Sequence, residues 1–98
     1  MAVKRNYETM FVLKPDLEEE VREGILDRIK NVITDNDGLI KEIDIWGDRN
    51  LAYEIRDYTS GYYTLIKFEA PTDIVKELQH HYKVIDSVLR SLVVNKED

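Results

Sequence analysis

The chain has no cysteine, four glycines and two prolines in 98 residues. Without thiols there is neither a disulfide framework nor a thiolate metal site. So little glycine and proline, with 43% apolar and 35% charged residues, lies far from the composition of disordered chains. No uninterrupted apolar run approaches the roughly 18–20 residues of a membrane helix. The opening MAVKRNYETM has two positive charges but no apolar stretch behind them, so it does not read as a secretory signal. What remains is a soluble, cytoplasmic protein, expected to be a single domain over residues 1–98 with residues 95–98 as a fraying tail.

Positive charge is also scarce: 14 bases against 20 acids leave a net −6. The deficit is local. Residues 16–44 hold ten acids and four bases, and the other 69 residues balance. A polyanionic partner is disfavoured by the total. It is still permitted if the acidic third is turned away and arginines elsewhere are presented.

Hydrophobic periodicity orders the rest. Residues 6–13 (NYETMFVL) read as a strand, broken by Lys14-Pro15-Asp16. Asp16 is the expected N-cap of a helix, with Glu18, Glu19 and Glu20 in its first turn. Leu17, Val21, Ile25, Ile29, Val32 and Ile33 form its apolar stripe, and Asp35-Asn36-Asp37-Gly38 stops it. Residues 39–46 alternate as a strand, residues 47–50 have turn composition, residues 51–55 run extended, and residues 57–61 form another turn. Residues 62–69 are the third strand, residues 72–82 a second helix capped by Thr72 or Asp73, and residues 88–94 the last strand. The order β-α-β-β-α-β predicts an α+β, ferredoxin-like split βαβ fold: a four-stranded antiparallel sheet with two helices on one face.

Charged positions set the strand faces. Glu8 directs Met10 and Val12 to the open face and Tyr7, Thr9, Phe11 and Leu13 to the helices. Lys67 and Glu69 do the same for Tyr63 and Leu65, and Arg90 for Val88, Leu92 and Val94. An open face this apolar is the mark of a binding surface.

Reaction chemistry is not visible. His80 and His81 are adjacent on a helix and diverge by about 100°, so they cannot share a metal. Ser60, Ser87 and Ser91 sit in no nucleophile elbow, and no phosphate-binding glycine loop occurs. No catalysis, cofactor or metal is expected. The sheet also lacks the basic-aromatic third strand of an RNA-recognition motif. Arg5, Arg49, Arg56, Arg90 and Lys96 fall at strand ends, turns or the outer sheet face, where they can meet phosphates or carboxylates.

The segment WGDRNLAYEI (residues 46–55) resembles the signature of the bacterial small-subunit ribosomal protein six family. Arg5, Tyr7 and Glu8 in the first strand, Pro15 after it, residues 61–71 (GYYTLIKFEAP) and residues 87–94 (SVLRSLVV) agree with it. The resemblance spans nearly the whole chain. It implies a non-enzymatic ribosomal protein, part of a cytoplasmic ribonucleoprotein serving translation. It further implies rRNA binding: 16S rRNA in its central domain, bound cooperatively with ribosomal protein eighteen as a heterodimer. Carried over by position, Arg5, Tyr7, Arg49, Arg90 and Lys96 are the implied RNA-binding residues. Trp46, Arg49, Leu51, Tyr53 and Ile55 are the implied protein-partner edge. Two rivals share the element order. An acylphosphatase-like hydrolase needs a glycine-rich, arginine-bearing first loop, where this chain has Lys14-Pro15-Asp16. A ligand-binding or dimerisation module of ACT type would form a symmetric homodimer around a metabolite.

Overall fold

The computed structural model describes residues 3–96. Its elements are β1 (Lys4–Leu13), α1 (Glu19–Asp35), β2 (Leu39–Ile55), β3 (Tyr58–Pro71), α2 (Ile74–Val84) and β4 (Val88–Asn95). The strands form one antiparallel sheet in the order β2-β3-β1-β4, leaving β2 and β4 as edges. This is the ferredoxin-like arrangement expected from the element order.

One side of the sheet is covered by both helices. Tyr7, Phe11 and Leu13 of β1 meet Ile66 and Phe68 of β3, Ile29 and Ile33 of α1, and Ile74, Leu78 and Tyr82 of α2. The parity set by Glu8 and Lys67 therefore holds for these strands. Thr9 lies in the same layer, fully buried but satisfied. Its hydroxyl donates to the Leu92 carbonyl at 2.9 Å, which leaves its oxygen to accept from the Tyr82 hydroxyl at 2.8 Å. Burial pushes the Tyr82 phenol well above the usual tyrosine range, against a smaller opposite pull from Thr9.

Five expectations are corrected. α1 starts at Glu19 rather than behind an Asp16 cap: Glu18 is still extended at ψ 151°, and its carbonyl takes the first helical amides, those of Val21 and Arg22. Half-buried Leu17 is drawn toward the core, which delays the helix. Residues 47–50 are not a turn, because β2 passes through them and pairs with β3 to its end. The second turn shrinks from residues 57–61 to Arg56 and Asp57, at φ 50° and 70°, the left-handed pair that a two-residue hairpin needs. Val88 packs against the core instead of facing out, because the register slips between Val12 and Leu13, pairing Val12 with Arg90 but Leu13 with Val88. Finally, Asn95 belongs to β4 and the Lys96 amide donates to the Asn6 carbonyl at 2.8 Å, so the chain is tied down there. Residues 97–98 of the expected tail lie outside the described residues.

Candidate nucleic-acid and partner interface

The open side of the sheet divides into two ends. Toward the start of β1 it is polar: Glu8 pairs across from Lys67, Glu42 from Lys67 on the other side, and Lys41 reaches Glu69 at 2.8 Å and the Asn6 side chain at 3.0 Å. Toward the end of β1 it is apolar and aromatic. Met10, Val12, Tyr63 and Leu92 line a hollow of about 210 Å³ with Arg90 and Ser91. Val12 is only 2% exposed although it lies on this open side. A Cβ at Gly61 would approach its Cγ1 to 2.3 Å, so only glycine lets β3 close over it.

The β2–β3 hairpin builds the outer wall of this end. Between Ile45 and Gly47 the register breaks, and Trp46 is the extra residue. Gly47 takes φ 79°, which a side chain would resist. The bulge lays the Trp46 indole on the Tyr63 ring at 6.1 Å and 11°, with its N–H donated to Asp44 at 3.0 Å. A second break separates Asn50, opposite Ser60, from Ile55, opposite Tyr58, so residues 51–54 bow out across from Thr59 alone. Tyr53 in this bow is 60% exposed, and the Arg90 guanidinium sits 5.8 Å from its ring centre.

Asp86, between α2 and β4, ties the hairpin tip down. Arg56 donates to its carbonyl at 3.0 Å and its carboxylate at 3.2 Å, while Lys14 holds the other carboxylate oxygen at 3.0 Å. Lys14, through hydrogen bond and charge, and then Arg56 hold the Asp86 carboxyl below its usual range.

The implied RNA residues separate into two groups. Arg49, opposite Gly61, shares the open face with Arg90 at the apolar end. Arg5 and Lys96 lie at the other end, about 23 Å away along β1 at 3.3 Å per residue, and on opposite sides of the sheet: Arg5, opposite Ala70, has the parity of the helix-covered side, and Lys96, beside Asn6, that of the open side. Tyr7 belongs to neither. It is 4% exposed and stacked on Phe68 at 5.7 Å, with no ring face left for a base, so its placement among the RNA contacts is withdrawn. The implied partner residues stay together: Trp46, Arg49 and Tyr53 are exposed, and Leu51 and Ile55 half-buried, all on the outer part of the hairpin. The tie between Lys14 and Asp86 is not visible in the sequence, because nothing local to either residue marks a contact across 72 positions. Among the described residues no cluster of histidine, aspartate and glutamate could hold a metal ion.

Fold and surface together define a class: a ferredoxin-like protein whose open sheet face is aromatic and arginine-flanked at one end. The family model described as Ribosomal protein S6 matches residues 6–95. The small ribosomal subunit protein bS6 of Caldanaerobacter subterraneus is 46% identical over 94 residues, covering 96% of this chain and 99% of that protein. The bS6 of Clostridium novyi is 43% identical over 93 residues, at 95% and 98% coverage. The crystal structure of 30S ribosomal protein S6 from Thermotoga maritima superposes with a TM-score of 0.90 at 33% identity, covering 96% of this chain and 89% of that one. The chain belongs to the ribosomal protein S6 family, and is thus a structural component of the small ribosomal subunit and not an enzyme. The hydrolase and ACT-type readings are set aside.

Proposed function

We propose that this chain binds 16S rRNA in its central domain together with ribosomal protein eighteen, as one cooperative unit in the cytoplasm. The observation carrying this reading is the apolar end of the open face, where Trp46, Tyr63 and the hollow beside Leu92 adjoin the exposed arginines Arg49 and Arg90. Trp46, Leu51, Tyr53 and Ile55 meet the protein partner, and Arg49 lies between partner and RNA. Arg90 contacts phosphate at the same end, while Arg5 and Lys96 reach a second stretch of backbone at the other.

Charge explains why a partner is needed. A chain with net −6 neutralises few phosphates and gains little from counterion release. A basic partner supplies that attraction, while this chain supplies a rigid surface, and each raises the other's affinity by the same factor. Filter binding with each protein alone and with both together tests this. Weak binding alone and much tighter binding together is the expected result; equal affinity without the partner overturns it.

A further inference from the structure

The two edges of the sheet are guarded unequally. Edge strand β2 is interrupted between Ile40 and Glu42, between Ile45 and Gly47 and between Asn50 and Ile55, and it carries Glu42, Asp44 and Asp48. Breaks and charges of this kind keep a strand from pairing with other chains. β4 is guarded only at its start, where the register slips between Val88 and Arg90. From Arg90 to Val94 it pairs regularly with β1, and that stretch holds one charge and no proline. Leu92 and Val94 are 43% and 40% exposed. α2 does not cover this edge, because a groove of about 270 Å³ lined by Gln79, Lys83, Leu89 and Ser91 runs between helix and strand. The backbone is set for one more strand. The Lys96 amide bonds to the Asn6 carbonyl, and the pairs step without a break from Asn95 opposite Tyr7 to Arg90 opposite Val12. Hydrogen-bonded and non-bonded pairs alternate in an antiparallel ladder, so Leu92 and Val94 spend their amides and carbonyls on β1, while Ser91 and Val93 turn theirs outward.

We infer that β4 pairs with β4 of a second copy, antiparallel about a two-fold axis at Leu92, joining the two four-stranded sheets into one. In this register Ser91 of each copy exchanges both N–H···O bonds with Val93 of the other. Leu92 meets Leu92 in a non-hydrogen-bonded pair, the closer of the two kinds. Arg90 falls opposite Val94 and lays its aliphatic stem on it. No like charges face one another. Moving the axis to Val93 sets Arg90 against Lys96, and moving it to Ser91 sets Val94 against core-facing Val88. Charge also allows a second copy at this edge and opposes it at the other. The acidic residues 16–44 lie on α1 and β2, across the sheet from β4, whereas residues 72–96 hold four bases and three acids. Phosphate gains nothing from Leu92 and Val94, while a second copy buries both. The pairing does not depend on the ribosomal reading and goes beyond it: the dimer takes in Arg90 and the rim of the hollow at Leu92, so it is a free reserve that separates before that face is used.

The test is sedimentation equilibrium of the full chain alone, from micromolar to millimolar concentration, beside amide exchange on the same samples. A monomer–dimer equilibrium is expected. As the dimer fills, exchange at Ser91 and Val93 should slow, while that at Ile43 and Ile45 stays the same. In a mixture of isotopically labelled and unlabelled chains, Leu92 should show an intermolecular contact with Leu92. Leu92→Lys and Leu92→Glu should each weaken dimerisation about tenfold with circular dichroism unchanged, and mixing the two variants should restore it, because opposite charges then meet on the axis. Ile45→Lys, on the other edge, should leave the dimer intact. A chain that stays monomeric throughout, a mixture of the two Leu92 variants that fails to pair, or intermolecular contacts centred on Ile43 and Ile45 would each overturn the proposal. So would slowed exchange at Ser91 and Val93 that appears only on adding oligouridine, which would give the edge to RNA.

Discussion

The β2–β3 hairpin is two structures end to end. Its inner part, residues 39–45 against 64–69, lies on the core, with Ile40 opposite Phe68 and Ile43 opposite Ile66. Its outer part, residues 47–60, runs past the helices and is positioned by a bulge at Trp46, a bow at residues 51–54 and the ties to Asp86. The inner part is held by burial, the outer part by a few polar and aromatic contacts. Most of the edge proposed for the protein partner, Arg49, Leu51, Tyr53 and Ile55, stands on the weakly held part, where small changes shift geometry without unfolding the protein.

The comparison breaks most visibly at the core. Ile66→Ala should cost about 2–5 kcal/mol and unfold both parts together, measured by urea denaturation followed at Trp46 and by circular dichroism. Separate transitions would show that the outer part is independent. Gly61→Ala strikes the junction, forcing a methyl group into Val12, and should cost about 1–3 kcal/mol while shifting the resonances of Met10, Tyr63 and Leu92. Trp46→Ala removes the stack on Tyr63 and should cost roughly 1 kcal/mol of stability, with a larger loss in binding to the protein partner by calorimetry.

Asp86→Asn should be the mildest. Pairs this exposed add little to global stability, so the midpoint should hardly move. Amide exchange over residues 51–60 should rise about threefold while that of α2 stays unchanged. Because the folded carboxyl is held below its usual range, its contribution is complete at neutral pH and fades as acid protonates it. Wild type in acid should therefore approach the variant's neutral-pH exchange pattern. An identical wild-type pattern at both pH values would remove Asp86 as the anchor.

Much of this was readable beforehand. Glu8 and Lys67 were enough to orient β1 and β3, and the spacing from Leu17 to Ile33 was enough for α1. Tyr7 shows how two readings compete: strand parity sent it to the core, family resemblance to the RNA, and parity prevailed because a residue opposite Phe68 is covered by the helices. The bulges were not readable. One extra residue, Trp46 in β2 or Leu89 in β4, reverses the side chains on one side of it relative to those on the other, yet leaves no mark in composition. The slip in β4 is why parity counted from Arg90 puts Val88 on the wrong side, whereas residues 47–50 read as a turn because Gly-Asp-Arg-Asn is turn composition, although the strand runs through them. Asp86 is an ordinary exposed acid until the fold brings Lys14 and Arg56 to it.

Trp46 is the only tryptophan in the chain, and it sits at the joint between the two halves of the hairpin with 39% of its surface exposed. The molecule thus carries a built-in optical reporter at the border of its proposed docking face. Covering that face would dry the indole and move its emission to shorter wavelength, while loosening of the outer hairpin would move it the other way, so occupancy and slackening can be followed without attaching a dye.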